Sequence, residues 1–105
     1  MKLAEHEVYI LNSPADGYEN VEFILIDVNS AVETKVSKDQ VIDGIKKLIQ
    51  NGLFDAFEYD AKKSDFIRIG FDQIQDIESL WFLMTERGRQ VLDENWTDEF
   101  IKKWE

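Results

Sequence analysis

The stretch from Val36 to Gly52, VSKDQVIDGIKKLIQNG, constrains what this chain can fold into more than any other. Ser37 and Gln40 stand in the order of a capping box, in which a hydroxyl accepts from the third helical amide and a Gln side chain reaches back to the cap amide. A helix is expected to start at Lys38. Val41, Ile42, Ile45, Leu48 and Ile49 fall on one side of a 3.6-residue period, and Lys38, Asp39, Asp43, Lys46, Lys47 and Gln50 occupy the other. Asn51-Gly52 then closes the helix, because glycine takes the left-handed conformation after the last turn without steric cost. Gly44 inside this helix costs about 1 kcal/mol relative to Ala, so a close packing partner is expected there, with a second helix as the natural candidate.

Upstream, residues 3 to 12 (LAEHEVYILN) fit a first helix that Pro14 stops. Asp16-Gly17 marks a turn, and Asp16 is placed to cap a second helix from Tyr18 to about Val28. Tyr18, Val21, Leu25 and Val28 keep helical spacing, yet VEFILIDV is rich enough in β-branched and aromatic residues to be a buried strand. Asn29 to Val36 reads as a turn, with a short edge strand at residues 31–33. Downstream, Leu53 to Tyr59 alternates as a strand with aromatic residues on both faces, and DAKKSD is a polar turn. Phe66 to Phe71 and Leu80 to Met84 are strand-like again, and the FIRIGFDQIQDIES connection is long enough to hold an extra strand and an irregular turn. Thr85 is expected to cap a last helix, with Glu86 favoured in its first turn. An apolar stripe continues through Val91, Leu92, Trp96, Phe100, Ile101 and Trp104, with a break expected at Asn95 or Thr97 and a helical extension over about 95–105.

The capped helix running into KKLIQNGLFDAFEYD, followed later by WFLMTERGRQVL, resembles the winged helix-turn-helix family over roughly residues 3 to 95. That resemblance implies an α+β fold in one domain, residues 1–105: a three-helix core, a two- to three-stranded antiparallel wing and a C-terminal helix. It also favours the helical reading of Tyr18 to Val28. The family includes DNA-binding regulators and modules that bind only other proteins, so the fold does not choose the function.

Charge bears on that choice. The net charge is -10, whereas a duplex-binding surface needs Lys and Arg to displace counterions from phosphates. Residues 1–33 sum to -6 and residues 72–105 to -5, leaving 34–71 at +1 as the only segment that is not acidic. No window approaches the ~18 consecutive apolar residues of a membrane span, and the N-terminus lacks the basic flank of a signal peptide, so a cytoplasmic protein is expected. There is no Cys, and His6 is the single imidazole. Nucleophilic triads and thiolate metal sites therefore lack material, and the five glycines form no phosphate-cradling motif. Asp72, Asp76 and Glu78 lack the spacing of a calcium loop and read as a solvated acidic stretch. No cofactor and no metal are expected, and the chain reads as non-enzymatic.

Two functions stay open. In the family, the third helix enters the major groove by its N-terminal half and the wing tip meets phosphate. Carried onto this chain, the DNA contacts would be Lys35, Ser37, Lys38 and Asp39, with Lys62 and Lys63 at the wing. The exposed helix face departs from that pattern, since it carries Asp39 and Asp43 and no Arg. The other reading is a regulatory protein-interaction module, which the acidic balance favours, holding a protein partner or forming a homodimer. Trp96, Phe100 and Trp104 recur every four residues and would form a slanting aromatic ridge for such an interface.

Overall fold

A computed structural model of the chain describes residues 1–96. They form an α+β arrangement of four helices, α1 (Glu5–Asn12), α2 (Val21–Ala31), α3 (Lys38–Gln50) and α4 (Glu86–Asn95), and three strands, β1 (Phe54–Asp60), β2 (Asp65–Ile69) and β3 (Trp81–Met84). The strands make one antiparallel sheet in the order β2-β1-β3.

Local chemistry sets the boundaries of α3. The Gln40 amide donates to Ser37 Oγ at 3.1 Å while the Ser37 amide donates to Gln40 Oε1 at 2.8 Å, so both arms of the capping box are made. At the other end, Gly52 takes a φ of 75°, and the Gly52 and Leu53 amides donate to the carbonyls of Ile49 and Leu48 at 3.0 and 2.9 Å. This is a Schellman closure, which satisfies the last carbonyls and turns the chain into β1. Val41, Gly44, Ile45 and Leu48 are buried, and Ile42 and Ile49 flank them half-buried.

The core lies between α1, α2, α3 and one face of the sheet. Ile10, Leu11, Ile24, Val28, Val41, Ile45, Leu48 and Phe82 have no exposed surface. Burying each such side chain is worth about 1.5–3 kcal/mol. Phe54 of β1 stacks against Phe82 of β3 on this inner face, with ring centroids 6.2 Å apart. Thr85 ties α4 to the end of α3. Its hydroxyl donates to the Gly52 carbonyl at 2.7 Å, its Oγ1 accepts the Gly88 amide at 2.9 Å, and its own amide reaches the Leu53 carbonyl at 3.0 Å.

Several sequence expectations are corrected here. The second helix begins at Val21 rather than Tyr18, and Asn20 caps it in place of Asp16, accepting the Phe23 amide at 3.0 Å. The cause is long-range: Glu19 exchanges two backbone hydrogen bonds with Phe82, at 3.1 and 2.8 Å, and this holds the chain extended up to the cap. No strand forms at residues 31–33, because α2 runs on to Ala31. The first helix starts at Glu5, and Leu3 is buried in extended chain with its amide held by Asn95. The second strand ends at Ile69, and Phe71 lies in the first of two short 3₁₀ turns, Phe71–Gln73 and Ile77–Ser79, that fill the connection to β3. Gly44 faces α1 rather than α2: a Cβ there would meet Ile10 Cδ1 at 2.6 Å.

Candidate functional site

The end of the α2–α3 connection and the first turn of α3 carry the first group of candidate residues, and intramolecular bonds occupy their cations, Lys35 and Lys38. The Lys38 ammonium lies 2.7 Å from Glu22 on α2 and also pairs with Glu78 in the second 3₁₀ turn. Hydrogen bonds to Glu22 and then Glu78 push its pKa upward, so the amine is fixed in its charged form. Lys35 donates to the Asn29 carbonyl, and Ser37 Oγ is engaged in the cap. Asp39 is exposed beside them. The structure thus brings Lys35, Ser37, Lys38 and Asp39 together, but among two carboxylates that sequence reasoning left apart.

The connection between α2 and α3 is closed by Asn29. Its Oδ1 accepts the Val36 amide at 2.8 Å and its Nδ2 donates to the Val36 carbonyl at 3.1 Å, so one side-chain amide pairs with the backbone as a strand would. An open cleft of about 570 Å³ lies between this connection and α1, with His6, Tyr9, Val32 and Lys35 in its walls. Among the described residues no group of three or more His, Asp or Glu is arranged to hold a metal ion. Asp76 and Glu78 have local duties instead. Asp76 accepts the Glu78 amide at 3.2 Å, and Glu78 holds Lys38.

Lys62 and Lys63 sit exposed in the turn between β1 and β2. Asp60 Oδ1 accepts their backbone amides at 2.9 and 3.3 Å, and Ser64 takes a φ of 50° to complete the reversal. Their ammonium groups form no ion pair among the described residues.

The outer face of the sheet, turned away from the helices, holds an aromatic cluster. Strand register puts Phe57, Tyr59, Phe66 and Trp81 on that side. Tyr18 stacks on Phe66 with centroids 3.9 Å apart and meets Phe57 edge-on at 5.0 Å, while Trp81 and Tyr59 contact Phe66 at 5.9 and 5.2 Å. Asp55 and Arg68 pair beside them at 3.2 Å. The cluster is partly exposed and joins the Tyr18 segment to all three strands through ring contacts.

Trp96 is half-buried and meets the Tyr9 ring edge-on at 6.4 Å. Phe100 and Trp104, the other members of the expected ridge, lie outside the described residues. Sequence reasoning passed over Phe23 and Ile26. They stand on the outer side of α2, 51% and 60% exposed. The available signal was their position off the Val21, Ile24, Val28 stripe, one turn apart on the opposite side of the same helix.

Among the described residues no helix is long and apolar enough to cross a membrane. No family model, curated protein or solved structure matches the chain.

Proposed function

We propose that this chain is a non-enzymatic winged-helix module that acts as a regulatory protein-interaction domain. The order of three helices, a hairpin, a returning strand and a last helix supports the winged-helix assignment. One observation carries the choice of partner. Lys38, the cation best placed at the start of α3, is held by Glu22 and Glu78. A phosphate approaching there would have to break those pairs and then lie beside two carboxylates, a repulsion with no compensating counterion release.

The alternative, a DNA-binding regulator, draws support from Lys62 and Lys63, whose ammonium groups project from the hairpin turn without carboxylate partners among the described residues. Fluorescence anisotropy with mixed-sequence duplex DNA at low salt separates the two readings. The interaction module should give no binding at micromolar protein. Tight, steeply salt-dependent binding that Lys62→Glu with Lys63→Glu abolishes would instead establish the regulator.

A further inference from the structure

Helix α2 is apolar on two sides. Val21, Ile24 and Val28 are at most 1% exposed and serve the core, so Phe23 and Ile26 on the far side contribute nothing to it. Single exposed apolar side chains are ordinary, but two large ones a turn apart make a continuous ledge. Acids alternate with that ledge: Glu22 is four residues before Ile26, Asp27 four residues after Phe23, and helical neighbours at that spacing lie side by side. Glu19 joins them. Burial and the nearby Asp27 charge raise its carboxyl above the ordinary value. Among the described residues Asp27 accepts the Ser13 hydroxyl at 2.5 Å and has no ion pair, while Lys38 divides itself between Glu22 and Glu78.

We propose that the outer face of α2 docks a basic amphipathic helix of a protein partner, with its apolar stripe on Phe23 and Ile26 and its Lys or Arg side chains over Glu19 and Asp27. The proposal rests on the interaction-module reading and names its surface. Charge complementarity selects the occupant: a second copy would set these acids against their own images, and a nucleic acid or anionic membrane would be repelled. The geometry is that of helix-on-helix recognition, in which apolar anchors one turn apart supply affinity and flanking charges set orientation.

The test uses the full ¹⁵N-labelled chain and two synthetic amphipathic helical peptides, one of Leu and Lys and one of Leu and Glu. Binding of the Leu/Lys peptide should shift amide resonances of residues 19–27 and weaken as salt rises. Phe23→Ser with Ile26→Ser should weaken it by about tenfold or more, and Glu19→Gln with Asp27→Asn should flatten its salt dependence. Tyr59→Ser, at an equally exposed ring on the hairpin, should leave it unchanged, which separates docking from general attraction to an acidic protein. Equal binding of the Leu/Glu peptide, shifts centred elsewhere, no shifts at millimolar peptide, or an unaffected Phe23/Ile26 double variant would each overturn the proposal. A dimer that the double variant dissociates would also overturn it, in favour of self-association. None of these results depends on the DNA titration, so the docking surface and the interaction-module reading can fail separately.

Discussion

Replacing Gly88 by Ala adds one methyl group to a helix, a change that propensity alone rewards with about 1 kcal/mol. Here the methyl has no room. Built on the observed backbone it lies 2.3 Å from the Leu53 carbonyl oxygen and 2.8 Å from Met84 Cγ, where real Cβ contacts under 3.0 Å essentially never occur. The Met84 side chain can rotate away. The Leu53 carbonyl cannot, because it accepts the Thr85 amide at 3.0 Å and the adjacent Gly52 carbonyl accepts the Thr85 hydroxyl at 2.7 Å. Relief requires α4 to lift from the α3–β1 junction. That weakens a helix cap worth about 1 kcal/mol and a backbone hydrogen bond worth about 1 kcal/mol, with overpacking strain of about 1–3 kcal/mol added. Against the propensity gain, a net loss of roughly 2–4 kcal/mol follows, which for a domain of this size lowers Tm by roughly 10–25 °C. Urea and thermal unfolding followed by circular dichroism would measure it, with Gly17→Ala as the control, since nothing lies within 4 Å of a Cβ at Gly17. A Gly88→Ala chain that unfolds at or above the wild-type midpoint would refute the reasoning.

Glu7→Gln should cost about 1 kcal/mol at neutral pH, a figure discounted because the Lys47 ammonium, 3.0 Å from the carboxylate, is solvated. Burial pushes the Glu7 carboxyl up, but the Ala4 amide and Lys47 together bring it below its ordinary value, so its stabilisation is present above about pH 4.3 and is lost as pH falls through the lower folded value. Urea midpoints of wild type and variant should therefore converge in acid; a gap that persists at about pH 2 would contradict the assignment. Asn29→Ala should lose roughly 1–3 kcal/mol by stranding both backbone groups of Val36, whereas Asn29→Asp, which keeps the acceptor, should lose less. Chemical denaturation of the pair gives the order, and equal losses would remove the amide pairing from the account.

What the sequence made legible was local. The α3 capping box, its glycine closure and the Thr85 cap each join residues no more than about five apart, so the pattern and the bond coincide. The same locality explains the errors. Asp16 is as good a cap residue as Asn20, and only the pairing of Glu19 with Phe82, remote in sequence, decides between them. Tyr18 keeps the spacing of a helical stripe with Val21 and Leu25, yet its ring stacks on Phe66 across the sheet. Gly44 announced a close neighbour, but which helix supplied it depended on how α1 crosses α3, which no period within either helix encodes.

The candidate site failed to read for a related reason. Summing charge along segments isolated residues 34–71 as the one stretch without an acidic balance, and that sum made Lys38 look available. Potential at a surface depends on what lies within a few ångströms, and the fold places Lys38 between a carboxylate from the first acidic segment and one from the last. The α3 N-terminus is therefore a point where three segments neutralise one another. Elsewhere among the described residues, two lysines at a hairpin turn have no ion pair, and neither do Glu19 and Asp27 on the helix face where Phe23 and Ile26 stand. A double-stranded nucleic acid could use only the first of these, and two isolated lysines release too few counterions to hold it. A cationic helix could use the second with both its apolar and its charged sides at once, and that asymmetry weighs for a protein partner.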